Sequence, residues 1–312
     1  MSRRLKVAAV IPVYNRKDLT LQCLRSMERL VLKGIDLEIF IVDDGSTDGT
    51  SSSVSAEFPY VSIISGSGEL WYTGAINLGI DAAMKAKPDY LLLMNDDQVY
   101  DQDALQFLVE SAERNKPSVV GALLLRWDIP HRVFQVSPTW KTLWGGWRHW
   151  QQQTIWTIPD SCWEVDLIVG NCMLVPGDAV KRFGPMNESL FPNSGDAEFT
   201  PRLKRRGVKL IIDPRARAFC QPNDVPKSIR EMSSAEVYRH LWGDIRMKQN
   251  LRRRLYGWVC GGPDPLRGLI AFAIFFIRFL LGFNLEGSYG SRAAEPPLRE
   301  TMRDSVIPKV ED

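Results

Sequence analysis

The sequence predicts an α/β domain in which a mostly parallel sheet is flanked by helices. Two short apolar runs, Val7 to Ile11 and Leu37 to Val42, have the length of buried strands, and the amphipathic stretch from Leu19 to Leu32 lies between them. A strand, a helix and a strand in this order form a parallel pair, because the connection must return the chain to its starting edge. The alternation continues through residue 97 and predicts a doubly wound first third.

The next elements repeat this order. Val61 to Ile64 and Tyr90 to Met94 are apolar runs of strand length, and a helical segment from Gly74 to Lys87 stops before Pro88, which cannot continue a helix. Ligands of such sheets bind at the carboxyl ends of the strands. The polar residues that follow three of the predicted strands are Tyr14-Asn15, Asp43-Asp44 and Asp96-Asp97. We therefore expect a ligand site at this edge of the sheet.

The pattern changes after about Arg126. A loop-rich or antiparallel insert is predicted there, because seven of the ten tryptophans cluster in it: Trp127, Trp140, Trp144, Trp147, Trp150, Trp156 and Trp163. An apolar strand pattern resumes from Asp166 to Val175. Phe199 to Arg206 is a short basic helix, and Ile211 to Pro214 reads as one more strand and turn.

From Ser233 onward the chain is predicted to be mostly helical. It is strongly basic between Arg246 and Arg254 and carries an apolar segment from Gly268 to Phe283. That segment is about sixteen residues long with Arg278 inside it, whereas a membrane-spanning helix needs ~20 apolar residues. We expect it to lie in a membrane interface or to pack on a partner.

Composition excludes some classes of protein. The chain has 39 Lys and Arg against 37 Asp and Glu, a net charge of +2, which gives no global electrostatic case for nucleic acid. Five cysteines without a Cys-x-x-Cys pair argue against a disulfide framework or structural zinc and favour a reducing cytoplasm. The apolar run near the N-terminus stops at Pro12 and is shorter than that of a signal peptide.

Acidic turns after two strands of one sheet favour a metal and phosphate site. A nucleotide diphosphate needs its charge neutralised, and a divalent cation on carboxylate oxygen is the usual device. The Asn95-Asp96-Asp97 turn can supply that ligand. Each acidic turn, including the one from Asp43 to Gly49, also has the composition of a simple polar turn or helix cap.

Six motifs occur in an order and spacing typical of one enzyme family. They are Val10 to Arg16, Val42 to Thr50, Trp71 to Gly79, Leu93 to Asp97, Val169 to Val175 and Gly195 to Arg206. Together they resemble family 2 glycosyltransferases, which are inverting, nucleotide-sugar-dependent enzymes with the GT-A fold. The resemblance covers roughly residues 5 to 220 and is greatest to the rhamnosyltransferase-like branch that builds bacterial surface polysaccharides. It implies a Rossmann-like sheet with a C-terminal helical extension.

The resemblance also implies residue roles. The nucleobase pocket would be formed by Pro12, Tyr14, Asp43 and Ser46. Further nucleotide contacts would come from Thr73 and Asn77, and Asp96 would lie beside the diphosphate or sugar. Asp97 would be the principal ligand of Mg²⁺ or Mn²⁺, and Asn95 stands where the family often has the first acid of an Asp-x-Asp pattern.

The implied catalytic base is Asp196, which would accept the proton of an acceptor hydroxyl as that oxygen attacks the anomeric carbon. Its alternative role is to cap a short helix that contains Pro201. Implied acceptor contacts are Trp163, Asn171 and Glu198, and some tryptophans of the insert could pack on sugar rings.

Two departures from the family pattern leave other functions open. Gly195 replaces the Glu that usually precedes the base, and Cys220 replaces a His near the end of a following strand. They keep open a non-catalytic scaffold or carbohydrate-binding protein. A sugar-phosphate nucleotidyltransferase is a further alternative, disfavoured because the stretch from Pro12 to Asn15 is not a Gly-rich phosphate loop.

The sequence-based organisation and partners follow from this resemblance. Residues 1–225 form the glycosyltransferase domain, with a nucleotide-binding half (1–125) and an acceptor-binding, catalytic half (126–225). Residues 226–290 form a helical, membrane-associating extension, and 291–312 a flexible tail. The expected partners are a nucleotide-sugar donor, a saccharide or polyprenyl-linked acceptor and a membrane surface contacted through 246–283, with a homodimer left open. The expected location is cytoplasmic, with peripheral attachment to the inner face of the cell membrane left open.

Overall fold

The computed structural model describes residues 3–135, 139–148, 153–221, 232–245 and 250–280. Its strands, in chain order, are β1 (Leu5–Val13), β2 (Ile35–Asp43), β3 (Ser62–Ser65), β4 (Tyr90–Met94), β5 (Gln98–Tyr100), β6 (Ser118–Arg126), β7 (Val133–Gln135), β8 (Thr139–Lys141), β9 (Gly146–Arg148), β10 (Trp163–Glu164), β11 (Cys172–Pro176) and β12 (Lys209–Cys220). Ten of them form one sheet, and β8 and β9 form a separate antiparallel hairpin.

The sheet has a parallel half and a mixed half. Strands β3, β2, β1 and β4 are adjacent in that order and all parallel, as the first third of the sequence predicts. On the other side of β4, β11 runs antiparallel between β4 and β6, and β12 runs parallel to β6. The strands β5 and β10 pair with β12, and β7 pairs with β6. The carboxyl ends of β1, β2 and β4 therefore lie at one edge.

Helices cover both faces of this sheet. They are α1 (Lys17–Glu28), α2 (Thr50–Glu57), α3 (Trp71–Ala83), α4 (Ala104–Arg114), α5 (Gly177–Phe183) and α6 (Asp196–Arg205). Alternate residues of β1 face opposite sides: Ile11 packs in a core with residues of α1, α2 and α4, whereas Val10 packs in a second core with residues of α3, α5 and α6. The predicted doubly wound α/β fold is confirmed.

Several predicted elements have different boundaries in the structure, including β12, which continues past the predicted turn at Pro214 to Cys220. The strand predicted from Asp166 to Val175 begins only at Cys172, because the amides before it bond to α6: Ile168 N–H donates to Thr200 Oγ1 (3.1 Å) and Gly170 N–H to Asp196 Oδ2 (2.9 Å). Helix α6 begins at Asp196 rather than at Phe199.

Proline inside α6 frees one backbone carbonyl. Pro201 has no N–H to donate to Ala197 O, four residues earlier. That carbonyl lies against Gly261, where an added Cβ would come within 2.7 Å of it. The close approach therefore requires glycine at this position.

Three helices follow the sheet: α7 (Ser234–Trp242), α8 (Leu251–Gly261) and α9 (Pro265–Leu280). Helix α8 packs on α6, where Arg205 Nη1 donates to Gly262 O (2.7 Å), and α9 packs on α8 and on the β8–β9 hairpin. Within the described ranges, no helix has the length and apolarity that crossing a membrane would require. The predictions for 246–249 and for the chain after 280 fall outside the described residues.

Candidate active site

The loops that follow β1 and β2 are joined by hydrogen bonds at the carboxyl edge of the sheet. Asn15 N–H donates to Ser46 Oγ (2.9 Å), and Thr47 N–H donates to Asn15 Oδ1 (2.7 Å). Asn15 adopts a left-handed backbone conformation (φ 50°), which asparagine tolerates better than most residues. Pro12 lies on β1 opposite Val42, and Tyr14 is 57% exposed. Four predicted nucleobase residues, Pro12, Tyr14, Asp43 and Ser46, thus lie on adjacent segments.

Asp43 is the last residue of β2, Asp44 follows it, and both are buried. Asp43 accepts the Ser46 N–H (2.8 Å) and the Ser51 hydroxyl, so its carboxylate organises its own turn. Asp44 accepts three backbone N–H groups, from Gly68 (2.7 Å), Leu70 (2.9 Å) and Trp71 (3.1 Å). The Asp44 carboxylate thereby fixes the loop that leads into α3.

Replacement of Asp44 by Ala should lower the free energy of unfolding by about 2 to 3 kcal/mol, since several hydrogen bonds to a charged group are lost at once. Urea unfolding should show a lower midpoint with an unchanged slope. Asp36→Ala is the matched control, because Asp36 is an exposed aspartate on β2, the strand that Asp44 follows. A loss for Asp44→Ala below about 0.5 kcal/mol, the range of ordinary surface substitutions, would contradict this role.

A cluster of Asp96, Asp97 and Arg16 follows β4. Arg16 Nη1 contacts Asp96 Oδ1 (3.2 Å) and Asp97 Oδ2 (3.0 Å), and Thr20 Oγ1 donates to Asp96 Oδ2 (3.2 Å). Burial raises the pKa of Asp96 to about 6, although Arg16 opposes the rise. Arg16 thus partly neutralises the negative charge of two adjacent carboxylates after β4.

The residues of this turn include oxygens suited to a divalent cation. Asn95 Oδ1 and Asp97 Oδ1 are buried and have no hydrogen-bond partner among the described residues. A buried oxygen without a partner is unfavourable in the free protein, and oxygen is the ligand that Mg²⁺ and Mn²⁺ prefer. The described ranges contain no group of three or more His, Cys, Asp or Glu arranged around a metal position. The donor set therefore fits a cation that takes its remaining ligands from substrate and water.

Asp196 is connected to this cluster by two backbone segments. Its Oδ2 accepts the Gly170 N–H (2.9 Å), and the carbonyl of the next residue, Asn171, accepts the Asn95 N–H (3.0 Å). The predicted base, the predicted acceptor residue Asn171 and the acidic turn after β4 thus lie in one continuous hydrogen-bonded unit.

The surroundings of Asp196 favour its protonated form relative to an ordinary aspartate. Burial raises the pKa of its carboxyl, and the backbone N–H groups of Gly170 and Ala197 oppose this rise, as does the guanidinium of Arg253. The residue as a whole is nevertheless partly exposed. A carboxylate that is accessible and more basic than usual is suited to general-base catalysis.

Two residues from other helices surround Asp196. Tyr72 on α3 donates its hydroxyl to Gly170 O (2.9 Å). Arg253 on α8 donates through Nε (3.2 Å) and Nη2 (2.8 Å) to Ser194 Oγ, two residues before Asp196. Helix α8 thus holds the turn from which α6 starts.

Thr73 and Asn77 are held by protein contacts. Thr73 is fully buried, accepts the Gly195 N–H (3.0 Å) and donates its hydroxyl to Phe191 O. Asn77 donates to Met186 O (2.9 Å) and accepts the Met186 N–H (3.1 Å). These bonds attach α3 to the loop before α6, and direct contact with a nucleotide stays a prediction.

The other two predicted acceptor residues lie on α6 and on β10. Glu198 is buried, and its Oε1 accepts Arg202 Nε (2.6 Å), whereas its Oε2 has no hydrogen-bond partner among the described residues. Trp163 lies on the edge strand β10, opposite Ile212 of β12, and packs against the cores. Neither has a described contact with Asp196, so their acceptor roles stay predictions.

The structure explains one departure from the family pattern and describes the other. A Cβ at Gly195 would meet Thr73 Cγ2 at 2.6 Å and Met186 Cβ at 2.8 Å, so no larger residue fits before Asp196 in this packing. Cys220 is a buried thiol, and burial together with the nearby Asp97 carboxylate raises its pKa. A neutral buried thiol is a poor ligand for a hard cation.

No individual role in the site was predicted for four residues that the structure places there: Arg16, Asp44, Tyr72 and Arg253. Arg16 and Tyr72 lie within two of the six family motifs, and Asp44 adjoins Asp43, so the sequence already marked these three positions. Arg253 was counted only in the basic stretch predicted to contact a membrane surface, because it lies 57 residues after Asp196 and only the packing of α8 on α6 brings the two together.

Comparison with known proteins decides the family. The family model described as Glycosyl transferase family 2 matches residues 8–155. Nearly half of the chain thus resembles glycosyl transferase family 2. This match includes the loops after β1, β2 and β4, and the predicted family is confirmed.

Two curated relatives and one solved structure extend the comparison. The chain is 30% identical over 118 residues to a poly(ribitol-phosphate) beta-glucosyltransferase of Bacillus spizizenii, over 37% of this chain and 18% of that protein. It is 24% identical over 203 residues to an N-acetylglucosaminyl-diphospho-decaprenol L-rhamnosyltransferase of Mycobacterium tuberculosis, over 58% of this chain and 65% of that protein. The chain thus spans less than two thirds of the length of these two relatives.

The solved structure is GalNAc-T7 with UDP, GalNAc and Mn²⁺. It aligns with a TM-score of 0.56 and 13% identity, over 78% of this chain and 49% of that one. At this identity the likeness concerns the fold alone, and it agrees with the predicted GT-A fold.

Proposed function

We propose that this chain is an inverting glycosyltransferase that moves a sugar from a nucleotide-diphosphate donor to a saccharide or lipid-linked acceptor in bacterial surface polysaccharide synthesis. The observation that carries the proposal is the hydrogen-bonded unit that joins Asp196 to the acidic turn after β4 through Gly170 and Asn171. It brings a candidate base and a candidate diphosphate site to one edge of the sheet.

The chemistry assigned to Asp196 is proton removal from the acceptor. An acceptor hydroxyl gives its proton to the Asp196 carboxylate while its oxygen forms a bond to the anomeric carbon. The bond from that carbon to the donor's phosphate oxygen breaks, and its electron pair leaves with the nucleotide diphosphate. A single displacement of this kind inverts the configuration of the anomeric carbon.

The diphosphate side is assigned to the turn after β4. Asp97, with the Asn95 amide oxygen, would hold Mg²⁺ or Mn²⁺, and a bound cation of this kind would neutralise charge on the departing diphosphate. The unpartnered oxygens of these two residues support this assignment, as does the Mn²⁺ in the GalNAc-T7 structure. Arg16 and Asp96 would keep the turn in place beside the donor.

The nucleobase and acceptor residues keep the roles that the family resemblance implies. Asp43 with Pro12, Tyr14 and Ser46 would hold the base, and Asn171 would face the acceptor together with Trp163 and Glu198. The names of the two curated relatives support a cell-envelope polymer or lipid-linked sugar as the acceptor. We further propose the domain division at 225, and a cytoplasmic enzyme that works at the inner face of the cell membrane.

A donor panel tests this function. The chain is incubated with nucleotide sugars that differ in base and sugar, each with and without Mg²⁺ or Mn²⁺, while nucleotide diphosphate release and thermal stability are followed. We expect metal-dependent stabilisation by one class of donor and release that requires an acceptor. A chain that no donor stabilises under any metal condition would contradict the proposal and favour a non-catalytic scaffold.

Replacement of Arg253 by Met should move the acid limb of the kcat/KM profile to higher pH. The guanidinium of Arg253 lowers the pKa of Asp196, so its removal leaves more of the base protonated at neutral pH. Activity should fall at neutral pH and recover under alkaline conditions, because kcat/KM reports ionisation of the free enzyme.

Three variants make the Arg253 measurement specific. Arg253→Lys keeps the positive charge, so its pH profile should stay close to that of the unmodified chain. Arg252→Met is the matched control, because Arg252 is exposed on the same helix. Ser194→Ala removes the hydrogen-bond acceptor while the charge at 253 stays. A loss for Arg253→Met that is equal at all pH values would contradict the electrostatic role.

A further inference from the structure

An exposed apolar surface lies on α9 and on the short turn between β8 and β9. Its large side chains and their exposed fractions are Leu143 (81%), Trp144 (65%), Leu266 (67%), Leu269 (52%), Ile270 (41%) and Ile277 (55%). The four α9 residues follow the spacing of one helical face, and the opposite face is buried at Ala271 and Phe275. We call this surface the apolar face.

The turn and the helix are packed together through Trp258 of α8. Trp258 of α8 donates its indole N–H to Gly145 O (2.8 Å) and packs on Phe275 of α9 at 5.1 Å between ring centroids. The left-handed Gly145 (φ 86°) lies directly against Phe275, where an added Cβ would be 3.5 Å from its backbone. The exposed side chains therefore project from a supported scaffold.

Basic groups border the apolar face. The guanidinium of Arg148 lies 5.1 Å from the ring centroid of Trp144, and Arg278 Nη1 contacts Trp144 O at 3.3 Å. Two cations from different elements thus converge on one exposed tryptophan. Helix α9 contains Arg267 and Arg278 and no acidic residue, and Arg267 pairs with Asp264 just before the helix.

We propose that the apolar face docks on a bilayer surface that contains anionic lipid, with Arg148 and Arg278 directed to lipid phosphates beside Trp144. Tryptophan, aliphatic side chains and arginine in this arrangement are the composition of an interfacial helix. A second copy of the chain is a poorer occupant, because a symmetric contact would bring like-charged arginines together. In contrast, anionic headgroups complement these charges.

The apolar face is connected to the candidate active site through α8. Helix α9 packs on α8, and Arg253 of α8 bonds Ser194 in the turn before Asp196. Docking of α9 would therefore fix the orientation of the catalytic edge relative to the bilayer. This consequence rests on the proposed function, in which the acceptor is lipid-linked.

Vesicle binding tests the proposal with the full chain. Flotation is measured with vesicles of phosphatidylcholine alone and of phosphatidylcholine mixed with phosphatidylglycerol. We expect binding to the mixed vesicles that weakens as salt is added, and little binding to neutral ones. Arg148→Gln combined with Arg278→Gln should weaken binding about tenfold or more, because each basic residue near an anionic surface contributes about 1 kcal/mol.

The apolar contribution is tested separately. Trp144→Ser combined with Ile277→Ser should also release the chain from mixed vesicles, and Trp144→Ser alone serves if the double variant does not fold. Tyr238→Ser is the control, because Tyr238 is a 68% exposed aromatic residue on α7 outside the apolar face. Binding that all these variants retain would overturn the proposal. Absence of binding together with a dimer that Ile277→Ser dissociates would also overturn it and identify a second copy as the occupant.

Failure of docking is distinguishable from failure of the proposed function. The same variants are tested for thermal stabilisation by UDP and by GDP with Mn²⁺, and the response of the unmodified chain should be kept. If vesicle binding is absent while nucleotide stabilisation persists, only the docking proposal is wrong.

Discussion

Asp196→Asn should reduce the rate of sugar transfer by roughly 100-fold to 10,000-fold, the usual contribution of a general base. Asparagine is nearly the same size, and its amide oxygen can still accept the Gly170 N–H that Asp196 Oδ2 accepts at 2.9 Å. The fold and the binding of donor should therefore be unchanged. Steady-state kinetics should show a loss in kcat, with thermal stabilisation by donor and metal retained.

The matched control for this variant is Asp178→Asn. Asp178 is exposed in the first turn of α5 and so shares with Asp196 its position at the start of a helix. If both variants lowered thermal stability alike and left turnover intact, Asp196 would be a helix-terminus residue rather than the base. If only Asp196→Asn lost turnover, the capping alternative would be excluded.

Asp97→Asn should remove the response of the chain to Mg²⁺ or Mn²⁺. Asp97 Oδ1 is a buried oxygen without a hydrogen-bond partner among the described residues, and Oδ2 bonds Arg16 at 3.0 Å. A neutral amide at this position binds a divalent cation more weakly than a carboxylate does. Because a metal ion stabilises transition-state charge by several kcal/mol, we expect turnover to fall by roughly 100-fold to 1,000-fold.

Calorimetric titration of Mn²⁺ in the presence of UDP measures this effect directly. Asp81→Asn is the control, since Asp81 is an exposed aspartate on α3. Metal binding that survives in Asp97→Asn would contradict the assignment, and the cation would then have to be sought elsewhere on this edge of the sheet.

The parallel half of the fold was predictable because its elements are periodic. The strand from Tyr90 to Met94 was predicted with its observed boundaries, and α1 and β1 were predicted within a few residues, since their apolar residues mark buried faces directly. The segment from Asp166 to Asn171 was wrongly predicted as strand, because it is equally apolar but bonds to α6 instead of to a neighbouring strand.

Most residues of the candidate site were predictable from the sequence, but the contacts between residues that are distant in the sequence were not. Strand order brings Arg16, which follows β1, next to Asp96 and Asp97, which follow β4, and local sequence does not encode that adjacency. The role of Arg253 depends on packing between α6 and α8, which no motif records. Gly195 is a departure that sequence alone could not interpret, whereas the contacts around it leave no space for a side chain.

The configuration of the product is the sharpest test of the proposed single displacement. With the donor that the panel identifies, the anomeric configuration of the transferred sugar is determined by NMR of the isolated product. A single displacement with Asp196 as base predicts a configuration opposite to that of the donor. Retention of configuration would contradict the account, because it requires a second displacement or a nucleophile that the proposed mechanism does not contain.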